Sequence, residues 1–302
     1  MRSASIIIVG AGPAGCAAAV QCTRMGVMPV LLDRTGRPGG LIGNAWSVEN
    51  YPGLDPMDGR EISKRLQAFL DRFRVELVPG VVSGIRQEGG HLVVDMPGDV
   101  IGAGAVIVAT GTRPVRLEVA GSEELQGEGL YYEVRELLES DPVPERVAVI
   151  GGGEAALDYS LSLAGAGARV TLLVRGGVLR AAQRLIDLVA ADENISVRFG
   201  IAIGSLQRSE EGVHVTFSSG EEEEDSLCCE GVVAAIGREA ATDHIPEELR
   251  EGDTASIGTG WEGMYIVGDA RLGALGQVGI AVGDGLEAAM AAVSLVKGRE
   301  GL

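Results

Sequence analysis

The chain has 302 residues, enough for two domains of ordinary size and for a substantial core. Glycine supplies 46 of them, about twice the usual share of roughly 7%, yet hydrophobic residues still make up 46%, which points to many tight βα turns rather than disorder. With 43 acidic against 25 basic side chains the net charge is −18, a balance that argues against a nucleic-acid partner and against an anionic membrane surface.

The opening stretch from Ser5 reads SIIIVGAGPAGCAAAVQCTRMGVMPVLLDR. Ile6 to Val9 is an uninterrupted apolar run, as in a strand of a parallel sheet covered on both faces. Gly10, Gly12 and Gly15 then form G-x-G-x-x-G, with Pro13 and Ala14 opening a helix. A second strand, Pro29 to Leu32, ends at Asp33 and Arg34. Strand, glycine turn, helix and acid in this register predict a dinucleotide fold: Gly12 admits a pyrophosphate, Gly15 lets the helix lie close on the sheet, and Asp33 meets a ribose hydroxyl.

The run Arg37 to Gly53, with Gly40 and Leu41 near its start and Asn50 near its end, reads as a loop that folds over something. Glu61 to Phe73 has the apolar spacing of an amphipathic helix, and Val75 to Val100 that of a small antiparallel excursion. Ala105 to Gly111 returns to a buried strand that ends at Ala109, Thr110 and Gly111, and a crossing between domains is predicted near Pro114. From Arg146 to Arg175 the architecture of the first stretch repeats. Gly151, Gly153 and Ala156 form G-x-G-x-x-A, with Glu154 and Ala155 inside the motif, and the following strand ends in Arg175 rather than an acid, with Arg180 close behind. Arginine there accommodates a 2′-phosphate, so this second site is read as favouring NADPH over NADH.

Strands are predicted near Val197, at Val213 to Phe217 and at Gly231 to Gly237, and the acidic run Glu221 to Asp225 as a solvated hairpin tip. A last strand ends at Gly268 and Asp269, and after Gln277 and Val278 a helix closes the described pattern. The four cysteines lack the spacing of a disulfide framework or a zinc site and are read as buried small hydrophobes. The apolar N-terminus imitates a secretion signal, but the glycine motif explains it, and no later run is read as a membrane span. A cytoplasmic protein is predicted.

The order of these motifs resembles the low-molecular-weight thioredoxin reductase family of flavoproteins over nearly the whole chain. The carrying pieces are Gly10 to Gly15, Pro38 to Gly53, Val108 to Gly111, Gly151 to Ala156, Ala235 to Gly237 and Gly268 to Gly285. The resemblance implies an α/β fold of two Rossmann-like, three-layer ββα nucleotide-binding domains. A discontinuous FAD-binding domain, 1–115 with 245–302, would be interrupted by an NAD(P)H-binding domain, 116–244, in a homodimer. It further implies that Asp269 contacts the ribityl and diphosphate region, that Asn50, Gln277 and the adjoining Val278 lie near the ring, and that Asp33 meets the adenosine ribose.

Thioredoxin reductases carry a Cys-x-x-Cys pair just before the second glycine motif, whereas here Glu133 and Glu136 stand at those positions in GLYYEVRE, Gly129 to Glu136. Carboxylates cannot form a disulfide. The chain thus resembles the branch without the dithiol, the thioredoxin-reductase-like ferredoxin–NADP reductases. The function this predicts is an FAD-dependent NAD(P)H oxidoreductase that serves an unidentified acceptor: a small molecule, ferredoxin or flavodoxin. Glu133, Arg135 and Glu136 are its candidates for contacting that acceptor. A flavin- or nucleotide-binding sensor or assembly subunit with little turnover is the alternative.

Overall fold

The computed structural model describes residues 2–219, 224–250, 256–273 and 276–300. It divides into two compact units, Met1–Gly43 with Val48–Arg113 and Glu239–Leu302, and Asn44–Ser47 with Pro114–Arg238. This division departs from the sequence-based boundaries at both seams. Residues 241–244 lie with the first unit because Thr110 Oγ1 donates to the Ala241 carbonyl at 2.7 Å, Ala241 N–H to Gly111 and Ile85 N–H to His244. Asn44 and Trp46 lie with the second because their polar atoms bond to Glu133 and Asp158.

In the first unit, Leu77–Pro79, Val30–Asp33, Arg2–Val9, Asp99–Val108 and Met264–Ile266 run parallel in that order. The early half of Asp99–Val108 pairs instead with an antiparallel hairpin, Gly84–Glu88 and His91–Met96, where the excursion was predicted. Strand alternation sorts the apolar run: Ile6 and Ile8 enter the core beneath the helices, Ile7 and Val9 the core on the opposite face. On the helix side lies Pro13–Arg24, with proline in its first turn and an unbroken buried run from Ala14 to Val20. Helix Gly59–Arg72 begins two residues before the predicted one, because the Asp58 carboxylate caps Glu61 N–H at 2.8 Å.

The closing helix, Val278–Glu300, corrects the reading that no later run approaches a membrane span. Val278–Arg299 is long and apolar enough to cross one, and an 18-residue window within it reaches mean hydropathy 1.5. In the fold its Ala281, Ala288, Ala289, Ala292, Val293 and Val296 are buried in the core shared with Pro13–Arg24.

The second unit repeats the plan with a five-stranded parallel sheet in the order Ile195–Phe199, Arg169–Val174, Arg146–Ile150, Gly231–Ala234, Leu130–Tyr131. Val147 and Val149 face the layer of helix Glu154–Gly165, while Ala148 and Ile150 face Val215 and Phe217 of a three-stranded antiparallel sheet. Two expectations need correction here. The strand predicted over Gly231 to Gly237 stops at Ala234, and Cys228 is half-exposed while Cys16, Cys22 and Cys229 are buried. The strand turns Cys229 inward and its neighbour outward. The predicted acidic hairpin tip falls largely on 221–223, outside the described residues.

Candidate functional site

In the first unit the strand ends at Gly10, whose φ of +104° suits only glycine. Gly10 N–H donates to Leu32 O at 2.7 Å and Ala109 N–H to Val9 O at 2.8 Å, so both flanking strands hold the turn. A Cβ on Gly15 would overlap the Gly10 carbonyl oxygen, so helix Pro13–Arg24 can lie this close only with glycine there. Gly12 is different. Its backbone is ordinary, φ −70° and ψ −177°, and a Cβ there would meet no described heavy atom within 4 Å. Protein packing places no demand for glycine at that position, and the open space beside the first helical N–H groups suits a diphosphate.

Gly39 N–H donates to Ala11 O at 2.8 Å, and Gly40 comes to lie against Gly12, with half-buried Leu41 next. Asp33 is more engaged than the sequence suggests. Its Oδ2 accepts Ala11 N–H at 3.0 Å, and its Oδ1 accepts Thr35 N–H at 2.8 Å and Thr35 Oγ1–H at 2.6 Å. Of about four acceptor positions on a carboxylate, three are filled within the protein. Arg34 beside it is exposed. Asn50 and Gln277, 227 residues apart, are joined by Nδ2–H to Oε1 at 2.7 Å. Gly268 takes φ +64° before Asp269, and Gly276 lies against the Asp269 carboxylate so closely that a Cβ would collide with it.

In the second unit Gly151 N–H donates to Leu173 O at 3.0 Å and Ala235 N–H to Ile150 O at 2.8 Å, the same bonds as around Gly10. Around a Cβ on Gly153 the nearest described atom is Arg180 O at 4.0 Å, again an open cradle. Arg180 N–H donates to Gly152 O at 2.7 Å, and Glu154 Oε1 accepts Ala182 N–H at 3.2 Å, so the glycine motif and Arg180 are brought together. Arg175 is exposed at the end of its strand, and Ala155 packs at the core's edge.

Glu133 does not stand in solvent. Its Oε2 accepts Asn44 Nδ2–H at 2.7 Å and Tyr159 Oη–H at 3.3 Å, and its Oε1 meets Arg238 Nη1 at 3.0 Å, with side-chain exposures of only 24% and 18% for the ion pair. Arg135 N–H donates to Asn44 Oδ1 at 3.3 Å, and its guanidinium pairs with Glu139. Glu136 has its carboxyl raised by desolvation and by the charge of Glu133. Next to this network Asp158 accepts Trp46 N–H at 2.9 Å, and burial pushes its carboxyl up to about 6. Burial, then Glu133, likewise raises the Tyr159 phenol. Asn44, Asp158, Tyr159 and Arg238 were not legible as one cluster in the sequence, where they lie up to 194 residues apart and share no motif.

The sequence profile of the pyridine nucleotide-disulphide oxidoreductases matches residues 4–293, which takes in both glycine turns and nearly everything between and after them. The chain belongs to that family. Among relatives of this oxidoreductase, the thioredoxin reductase of Streptomyces coelicolor is 30% identical over 299 residues, 95% of this chain and 92% of that protein. The thioredoxin reductase of Lactococcus lactis superposes with a TM-score of 0.87 at 28% identity, covering 97% of this chain and 99% of that one. That of T. acidophilum gives 0.86 at 26%, with the same coverage. The α/β fold with two Rossmann-like halves is the fold of these neighbours.

Proposed function

We propose that this oxidoreductase binds FAD in its first unit and NADPH, in preference to NADH, in its second, and serves its acceptor without a redox-active disulfide. Gly10 to Gly15 and the helix they open would hold the diphosphate, Asp33 and Arg34 the adenosine end, and Asp269 the ribityl region. Ala109 to Gly111, Asn50 and Gln277 would line the remainder. Gly151 to Ala155, Arg175 and Arg180 would hold the nicotinamide nucleotide. Bound there, the flavin supplies hydride acceptance from the reduced nicotinamide and electron delivery onward.

The observation that carries the disulfide-free reading is the state of Glu133. Its carboxylate is tied by Asn44, Tyr159 and Arg238 at a position where the thioredoxin reductases carry a cysteine. Three of the four thiols are poor substitutes. Burial raises Cys16 and Cys22 to about 12 and Cys229 to about 11, which keeps them protonated and poor nucleophiles. The acceptor is then a small molecule, a ferredoxin or a flavodoxin, and a cytoplasmic homodimer completes the proposal.

Anaerobic mixing with NADPH tests it, read by flavin absorbance and by the number of alkylatable thiols. Rapid bleaching with an unchanged thiol count is expected. Two newly reactive thiols would overturn the disulfide-free reading, and an unbleached flavin would make the chain a binding module instead. Gly12→Val should fold and yet lose FAD, because its side chain enters the open space beside the helix; full flavin retention would remove the first cradle from the assignment.

A further inference from the structure

Asp284, on the closing helix, makes a set of bonds that neither glycine turn requires. It is 7% exposed, one of very few buried charged residues among those described. Its Oδ2 accepts Gly268 N–H at 2.9 Å. The Arg271 guanidinium grips it from the side, Nε to Oδ2 at 3.1 Å and Nη2 to Oδ1 at 2.8 Å, with side-chain exposures of 13% and 9%. A forked pair of this kind fixes direction as well as charge. Three pieces of chain thereby meet at one carboxylate: the turn at Gly268, the short helix Asp269–Leu272 that carries Arg271, and the closing helix itself.

The neighbourhood leaves this joint no slack. Gly268, at φ +64°, sits with its Cβ position 3.3 Å from the side chains of Ala14 and Ala281. One residue after Asp284, a Cβ on Gly285 would overlap the Ala14 carbonyl, so the closing helix touches the first turn of helix Pro13–Arg24 backbone to backbone. On the far side, Gly276 presses on the Asp269 carboxylate. The backbone that aims Asp269 is therefore set from one side by the Asp284 bond and from the other by glycine packing.

We infer that Asp284, with Arg271 as its counter-ion, is a positioning residue that aims the Gly268–Asp269 turn at the bound flavin nucleotide. The inference rests on the FAD reading of the first unit. A buried carboxylate without its arginine would carry a large desolvation cost, and a turn without its acceptor would leave Gly268 N–H unsatisfied. The pair answers both needs.

The test uses apoprotein, with FAD affinity read by flavin fluorescence and ADP read by its inhibition of FAD rebinding. ADP carries the diphosphate and adenosine but nothing that reaches the ribityl side. Asp284→Asn should weaken FAD at least about ten-fold, the scale of one lost charge-assisted bond. It should leave ADP inhibition within about two-fold, since the first cradle is intact. Arg271→Lys, which keeps the charge and loses the fork, should show the same split to a smaller degree and decides the matter if the first variant does not fold. Equal loss of FAD and ADP would mean general loosening and would overturn the inference, as would no loss of either. Failure of the unaltered protein to bind FAD would instead overturn the cofactor assignment.

Discussion

The two glycine turns are built on one backbone plan and filled differently. Around Gly10 and around Gly151 the same pair of strand hydrogen bonds recurs, and both glycines take positive φ. At the third position they part. Gly15 has no room for a methyl group, whereas Ala156 occupies the equivalent place and is fully buried. Helix Pro13–Arg24 is thus drawn closer to its strand than helix Glu154–Gly165 is. The acids differ as well: Asp33 laces its own turn through Ala11 and Thr35, while Glu154 braces Ala182 across to the Arg180 segment. A shared motif therefore fixes the turn, and the residues around it decide how tightly the helix sits and which charge stands beside it.

The harshest way to break this comparison is to exchange the third residues. Gly15→Ala should destabilise the first unit by roughly 3 kcal/mol or more, since a methyl must displace the Gly10 backbone. Ala156→Gly should cost only about 1 kcal/mol. Urea unfolding of the two variants reads both, and similar midpoints would mean that the two helices sit alike.

A smaller effect separates the buried acids. Asp158, with its folded value near 6, takes up a proton more readily folded than unfolded, where the usual value is about 3.9. Its contribution to stability is therefore whole below about pH 4 and is lost as pH rises through about 6. Asp158→Asn should exceed the parent in stability at pH 7 by about 1–3 kcal/mol and lose that advantage towards pH 4. A stability difference that does not change across this window would show the carboxyl to be well solvated.

The mildest test concerns nucleotide choice. Arg175→Ala or Arg180→Ala should raise KM for NADPH about ten-fold, near 1.4 kcal/mol, and leave NADH almost unchanged. Equal changes for both nucleotides would reduce the arginines to solvated surface residues.

Most of the fold was legible because its signals are local. Ile6 to Val9, Gly10 to Gly15 and Val147 to Ala156 each state strand, turn and helix within a dozen residues. The hydrogen bond between Asn50 and Gln277 was not foreseen, since the resemblance implied only that each lies near the ring and nothing nearby in the chain announces a partner so distant. Glu133 was read as a candidate acceptor contact from its place in the order of motifs, and nothing local in the chain announces the bonds that occupy its carboxylate. Its three partners, Asn44, Tyr159 and Arg238, converge only in space. Helix Gln183–Ala191 and the short helix Val134–Leu138 were missed for a related reason: each is too brief for its periodicity to register.

The closing helix has a consequence for how the protein is made. Its buried alanines complete the core beneath Pro13–Arg24, yet it leaves the ribosome only after the whole of Pro114–Arg238. Apart from Asn44–Ser47, the second unit is contiguous and can collapse during synthesis, while the first 113 residues must keep an apolar helix face uncovered until then. That interval is when the nascent chain most needs a chaperone, and truncation before Val278 should yield a protein whose second unit is folded and whose first is degraded.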